Sequence, residues 1–227
     1  MRFLLIDTST ERGVIAYGNG QEVLFAKELP FGPSQSKFLM PDLFEALKSF
    51  GFPPRLDGIG VGIGPGSYTG IRLGVSVAQA LAYSWKIPLI GISSLEGFIP
   101  TKLTHRYAAI LDARIGGVYF QKGEVNQQGF LHKSSPQIAS LEEIGKTLEG
   151  ITHLVTPCAK SLQIKFAQSH GGIKWVWEER SPSVQSLLQG IEQAYIQGKI
   201  ITPPHQLEIL YLRQTEAERE KARKEKI

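Results

Sequence analysis

A single cysteine, Cys158, stands in a chain of 227 residues, so no disulfide can close within it and no second thiol can complete a metal-binding pair. That usage suits a reducing compartment and points to a cytoplasmic protein. Long apolar runs are missing too. Phe3 to Ile6 is too short for a leader sequence and ends at Asp7, and no stretch approaches the roughly 20 residues that a membrane span needs, so no membrane contact is expected. Charge is not gathered in one sign: a formal net charge of +4 permits contact with nucleic acid without requiring it. His105, His132, His153, His170 and His205 are scattered with no pair at i, i+4, which leaves no zinc site to expect. Ser76, in Gly74-x-Ser76-x-Ala78, falls inside a helical pattern rather than on a strand-to-helix elbow, so it does not read as a hydrolase nucleophile.

What the chain does have is glycine, and its densest use runs from Gly58 to Arg72 and on to Tyr83. Apolar residues alternate with Gly up to Ile63 and a helical period takes over near Thr69, which predicts a buried strand, an elbow and a helix. Gly64 and Gly66 open backbone angles closed to other residues, and Ser67 or Thr69 can cap the helix. Such a loop can hold an anion at the helix N-terminus, although it carries neither the Walker lysine nor the dinucleotide spacing. Within the helix, Gly70, Gly74, Ala78 and Ala82 make a small-residue stripe at intervals of four, beside apolar stripes at Leu73, Val77, Leu81 and at Ile71, Val75. A helix of this kind wants cover on more than one side, from its own sheet and from a closely approaching second helix.

In order, Arg2 to Asp7, Gly13 to Tyr17 and Gln21 to Glu28 predict an antiparallel meander, followed by a helix from Gln35 to Phe50 that Pro41 kinks or delays, then the glycine-rich unit and a strand at Leu89 to Ile92. Ala108 to Asp112 and Gly117 to Phe120 repeat Leu4 to Asp7 and Gly13 to Ala16, with Asp7 and Asp112 lying 105 residues apart. The pattern after the second copy again runs strand, helix, strand, helix, strand, helix. A duplicated α/β unit follows: two mixed sheets flanked by helices, with a cleft between the hairpins and Asp7 and Asp112 on either side. The expected limits are 1–101 for the first lobe, 102–213 for the second and 214–227 for a charged tail of near-balanced sign. Trp175 and Trp177 are expected to place one ring in the core and one at the surface. In a two-lobed phosphotransfer fold the two aspartates would hold a hydrated metal ion, with Thr8, Ser9 and Thr10 donating to a phosphate; a turn-closing role for each aspartate is the plainer alternative.

Gly64-Pro65-Gly66-Ser67-Tyr68-Thr69-Gly70-Ile71-Arg72, with Ile6-Asp7-Thr8-Ser9-Thr10 before it, Leu111-Asp112-Ala113-Arg114-x-Gly116-x-Val118-Tyr119 after it and Leu210-Tyr211-Leu212-Arg213 near the end, closely resembles the TsaB, or YeaZ, family over nearly the whole chain. The resemblance implies an actin-like ATPase fold of two RNase H-like lobes and a non-catalytic role. TsaB proteins resemble degenerate paralogues of TsaD, which transfers a threonylcarbamoyl group to the adenosine beside the anticodon in tRNAs reading codons that begin with A. A metal-binding member would carry a histidine pair in the first long helix, where this chain has Gln35, Ser36 and Phe38. The implied partners are TsaD as a heterodimer, the ATPase TsaE, tRNA through the complex, and a second copy when the chain is alone. No cofactor is implied for the chain itself, with ATP or ADP at an interface of the complex. The partner surface is expected at Phe38, Leu39, Leu43, Leu47, Tyr68, Arg72, Gly74, Val75, Ala78 and Gln79, and phosphate or nucleotide contacts at Asp7, Thr8, Ser9, Gly64, Gly66 and Ser67. The alternative is a stand-alone actin-like phosphotransferase; a glycopeptidase-like hydrolase is weaker, for want of a metal or nucleophile set.

Overall fold

The computed structural model describes residues 1–49, 55–102, 106–114, 117–125, 131–169 and 174–212. The expected charged tail, His105, His170 and the start of the strand placed at Ile173 lie outside them. The first sheet is built from β1 (Phe3–Asp7), β2 (Val14–Gly18), β3 (Val23–Glu28), β4 (Gly58–Gly62) and β5 (Leu89–Ile92), in the order β3-β2-β1-β4-β5. The second holds β6 (Arg106–Asp112), β7 (Gly117–Val125), β8 (Leu131–Lys133), β9 (Gln137–Ser140), β10 (His153–Thr156) and β11 (Val176–Glu179), in the order β11-β10-β6-β7, with β8 and β9 pairing different stretches of β7. Each sheet begins with an antiparallel hairpin, in which Asp7 lies opposite Val14 and Asp112 opposite Val118, and continues with two parallel strands beside the first. The duplicated unit expected from the sequence is therefore present in topology and register.

Alternation along β1 explains the layering. Leu4 and Ile6 face one side of the sheet, where α1 (Gln35–Ser49) and α2 (Tyr68–Trp85) lie, and Phe3 and Leu5 face the other. From α1, which runs through Pro41, come Leu39, Leu43, Ala46 and Leu47; α2 gives Ile71, Val75, Ala78 and Ala82. Each fully buried leucine of this set contributes about 1.5–3 kcal/mol relative to an exposed one. In the second lobe the four-residue α3 (Ile144–Thr147) and α4 (Ala159–Ser169) cover the sheet through Ile144, Leu162 and Phe166. The tryptophans depart from expectation: residues two apart on an extended strand share a face, and Trp175 and Trp177 both pack edge-on against Phe166, at 5.0 and 5.2 Å between ring centres.

The expected limits of the second lobe, 102–213, are corrected by the last helix. α5 (Val184–Ile196) returns to the first lobe, where Leu187, Leu188 and Ile191 cover Phe3, Leu5, Val14, Ala16, Ile90 and Ile92. The reason is physical: β1, β2 and β5 are apolar on both faces, and α1 and α2 cover only one. The segment after α5 stays with the first lobe, as Ile201 bridges Leu89, Leu207 enters the α1/α2 core and the Leu210 amide donates to the Ile63 carbonyl at 3.0 Å. Between the lobes, Arg12 donates through Nε to the Pro157 carbonyl at 2.9 Å and pairs with Glu28 of the first lobe at 3.3 Å and Glu179 of the second at 3.0 Å.

Candidate functional site

The end of β1 and the elbow before α2 are tied together through backbone. Ser67, not Thr69, caps α2, accepting from the Gly70 amide at 3.3 Å, and its own amide donates to the Ser9 carbonyl at 2.7 Å. The Thr8 hydroxyl donates to the Gly70 carbonyl at 2.6 Å and the Ser9 hydroxyl to the Gly62 carbonyl at 3.4 Å. Gly64 adopts a φ of 101°, in the left-handed half of the map, and a Cβ on Gly66 would strike the Ser9 carbonyl. The glycines therefore let the elbow close onto the strand end. Thr8 and Ser9, expected to donate to a phosphate, are buried with their hydroxyls spent on carbonyls, and Gly64 lies beneath Ile71. Of that expected set, Gly66 and Ser67 line the open cleft with part of their surface exposed, and buried Ser9 stands in its wall.

That cleft, of about 320 Å³, runs between the lobes as the sequence predicts, with Ser67 and Thr69 on one side and Asp112, Arg114 and Tyr119 on the other. The two aspartates expected on either side of it do not converge, since Asp112 lines the cleft and Asp7 does not. Asp7 is 4% exposed and packs so tightly on Gly62 that a Cβ there would meet its carboxylate; its Oδ1 accepts from the Ser9 amide at 2.9 Å. Asp112 is engaged on both oxygens by Lys165 of α4, at 2.7 and 2.8 Å, and its Oδ1 also accepts from the Arg114 amide at 2.7 Å. A hydrated divalent cation bound between them would have to displace an ammonium from one and reach the other through backbone. Among the described residues no group of three or more His, Cys, Asp or Glu is placed to hold a metal. Of the two roles weighed for the aspartates, the geometry is that of turn closure, each carboxylate accepting from the amide two residues on.

Burial pushes the Asp7 carboxyl above its ordinary value, against the opposing pull of the Ser9 donors. The folded chain then holds this proton more tightly than the unfolded chain, so Asp7 lowers stability as pH rises from the ordinary carboxylate value through the raised one. Asp7→Asn, which keeps an acceptor for the Ser9 amide, is expected to raise the melting temperature at pH 7 and to leave it unchanged at pH 3; thermal melts at the two pH values check this.

The expected partner surface divides in two. Leu39, Leu43, Leu47, Gly74, Val75 and Ala78 are sealed between the helices and their own sheet. The small-residue stripe faces β1: a Cβ on Gly70 would strike the Thr8 carbonyl, and one on Gly74 would lie 2.7 Å from the Thr8 hydroxyl. Phe38, Tyr68 and Arg72 are exposed, and half-buried Gln79 donates to the Pro204 carbonyl at 3.1 Å. Arg72 lies over the Tyr68 ring at 3.9 Å, and its Nε donates to the Tyr211 hydroxyl at 3.2 Å. The outer faces also carry Met40 and Phe44, 53% and 57% exposed, which sequence reasoning left off the surface. Their i, i+4 spacing is the signal that marks a second apolar stripe on α1. Gln35, where a metal-binding relative would place histidine, is buried and donates to the Thr10 carbonyl at 2.8 Å.

Two mixed sheets of like topology, facing each other across a cleft and bridged by a helix that crosses back, define a two-lobed α/β protein. A solved structure of YeaZ from Pseudomonas aeruginosa has this fold, with a TM-score of 0.74 over 93% of this chain and 99% of that one at 20% identity. The family model for TsaD, tRNA N6-adenosine threonylcarbamoyltransferase, matches residues 34–168, and the chain belongs to this family, on its TsaB (YeaZ) branch. The tRNA threonylcarbamoyladenosine biosynthesis protein TsaB of Escherichia coli is 32% identical over 149 residues, 63% of this chain and 64% of that protein. Its namesake in Bacillus subtilis is 36% identical over 122 residues, 52% of this chain and 53% of that one. The matched stretches thus span between about half and two thirds of these relatives. Among the described residues no helix is long and apolar enough to cross a membrane.

Proposed function

We propose that this chain is a non-catalytic subunit that holds and activates TsaD during transfer of the threonylcarbamoyl group to N6 of the adenosine beside the anticodon, in tRNAs reading codons that start with A. The observation that carries this reading is the pairing of Asp112 with Lys165: the carboxylate that lines the cleft is already engaged on both oxygens by an ammonium. What the chain offers instead is surface. Phe38, Met40 and Phe44 of α1 and Tyr68 and Arg72 of α2 are exposed, and they are residue types that protein interfaces favour. TsaD docks there, TsaE joins the pair, and tRNA is met through the complex. When the partner is absent the same face pairs two copies across a twofold axis.

The chain has no nucleotide of its own under this reading. Arg114 and the rim of the elbow at Ser67 and Thr69 are what it can present to ATP or ADP held at an interface of the complex, without metal ligands. The test is co-purification with TsaD and TsaE of the same organism, followed by a tRNA modification assay with and without this chain. Modification is expected only when the chain is present, and no turnover from the chain alone. Calorimetry with Mg-ATP is expected to give no heat of binding to the lone chain; tight binding that Asp7→Ala abolishes would favour the stand-alone phosphotransferase instead.

A further inference from the structure

A second cavity, of about 880 Å³, shares no lining residue with the interlobe cleft. Both lobes build it. Glu96 comes from the short turn of helix after β5, Gln121 and Lys133 from β7 and β8, and Ser186, Gln189 and Gln193 from one face of α5. Lys133 ties the two lobes together in its wall. The Lys133 ammonium donates to the Ser186 hydroxyl at 2.9 Å and to the Glu96 carbonyl at 3.0 Å, and that hydroxyl donates to the same carbonyl at 2.8 Å. Two of the three ammonium hydrogens are thereby used. The Glu96 carboxylate, whose Oε2 lies 4.0 Å away, is at an ion-pair separation beyond hydrogen-bond reach.

A largely buried ammonium that keeps a free donor is costly unless an anion or water meets it. Burial pushes the Lys133 amine down and the Glu96 carboxyl up, each opposed by the other, and Lys199 at the rim also acts on Glu96. The cavity thus carries two lysines against one glutamate, with amide and hydroxyl side chains between them. Its size is within the usual range for small-molecule sites, about 300–1,000 Å³. We propose that it binds a small hydroxylated anion of the sugar-phosphate class. The acidic group meets the free donor of Lys133 and the ammonium of Lys199, and the hydroxyls meet Gln189, Gln193 and the Glu96 carboxylate. The inference is independent of any role with TsaD.

A plain strut between lobes would use Lys133, Ser186 and Glu96, whose carboxylate offsets the Lys133 charge, but would have no use for Lys199 and would not bind phosphate more tightly when that carboxylate is removed; the test turns on those two charges. Amide NMR of the full chain is titrated with inorganic phosphate and with glucose 6-phosphate, against sodium chloride at matched ionic strength. Saturable shifts are expected at Lys133, Ser134, Gln189 and Gln193, with the sugar phosphate binding about tenfold tighter than phosphate. Lys199→Gln is expected to weaken binding several-fold and Glu96→Gln to tighten phosphate binding, both with unchanged melting temperature; Lys133→Met is expected to abolish binding. Absence of saturable shifts with either probe, or shifts indifferent to Lys199→Gln and Glu96→Gln, overturns the proposal, and those two variants decide it even if Lys133→Met fails to fold.

Discussion

Phe44→Asp is expected to weaken binding to TsaD about a hundredfold, roughly 2.7 kcal/mol, without moving the melting temperature. The ring is 57% exposed on α1, and Lys48 rests on it with Nζ 4.6 Å from its centre. It contributes nothing to the sealed core of Leu39, Leu43 and Leu47, so its loss should stay within about 0.5 kcal/mol in stability, as surface changes usually do. At an interface the same ring is the kind of aromatic anchor whose removal costs 2 kcal/mol or more, and a carboxylate in its place would have to be desolvated for the partner to dock. Titration calorimetry of the purified pair, beside a thermal melt of the variant alone, reads both quantities. Retained affinity in a folded variant would move the docking face elsewhere on the molecule.

Gly74→Leu is expected to show the opposite pattern. A Cβ at this position lies 2.7 Å from the Thr8 hydroxyl and 3.7 Å from the Ile6 side chain, and the rest of a leucine has nowhere to go but into β1. Overpacking of this kind typically costs about 1–3 kcal/mol, and here it would also break the Thr8 bond to Gly70 that holds the elbow. Denaturant unfolding should show the loss directly. Binding to TsaD should fall only in proportion to the folded fraction; a variant of wild-type stability that failed to bind would restore the stripe as a docking surface.

The difference between these two residues shows where pattern reading reached its end. The strand, elbow and helix from Gly58 to Tyr83 were legible because the period changes from two to nearly four at Thr69, and Gly64 and Gly66 mark the join. The repeat of the first hairpin was legible because Asp7 and Asp112 end equivalent strands. Orientation was not, since α2 has apolar or small residues on three stripes and spacing cannot say which faces the sheet. Likewise nothing in the spacing ties Lys165 to Asp112: the contact joins a helix to a strand end 53 residues away, and such pairings exist only once the sheet has formed. The exposure of Met40 and Phe44 was hidden for a related reason, because an apolar residue at helical spacing looks the same whether it faces the core or solvent.

The return of α5 to the first sheet has a consequence for biosynthesis. A nascent chain emerges N-terminus first, and units completed early ordinarily fold early. Here Phe3, Leu5, Ile90 and Ile92 wait for Leu187, Leu188 and Ile191, which leave the ribosome only after every strand of the other sheet has been made. The half synthesised first is therefore finished last, and until then one apolar side of it stands open to chaperones.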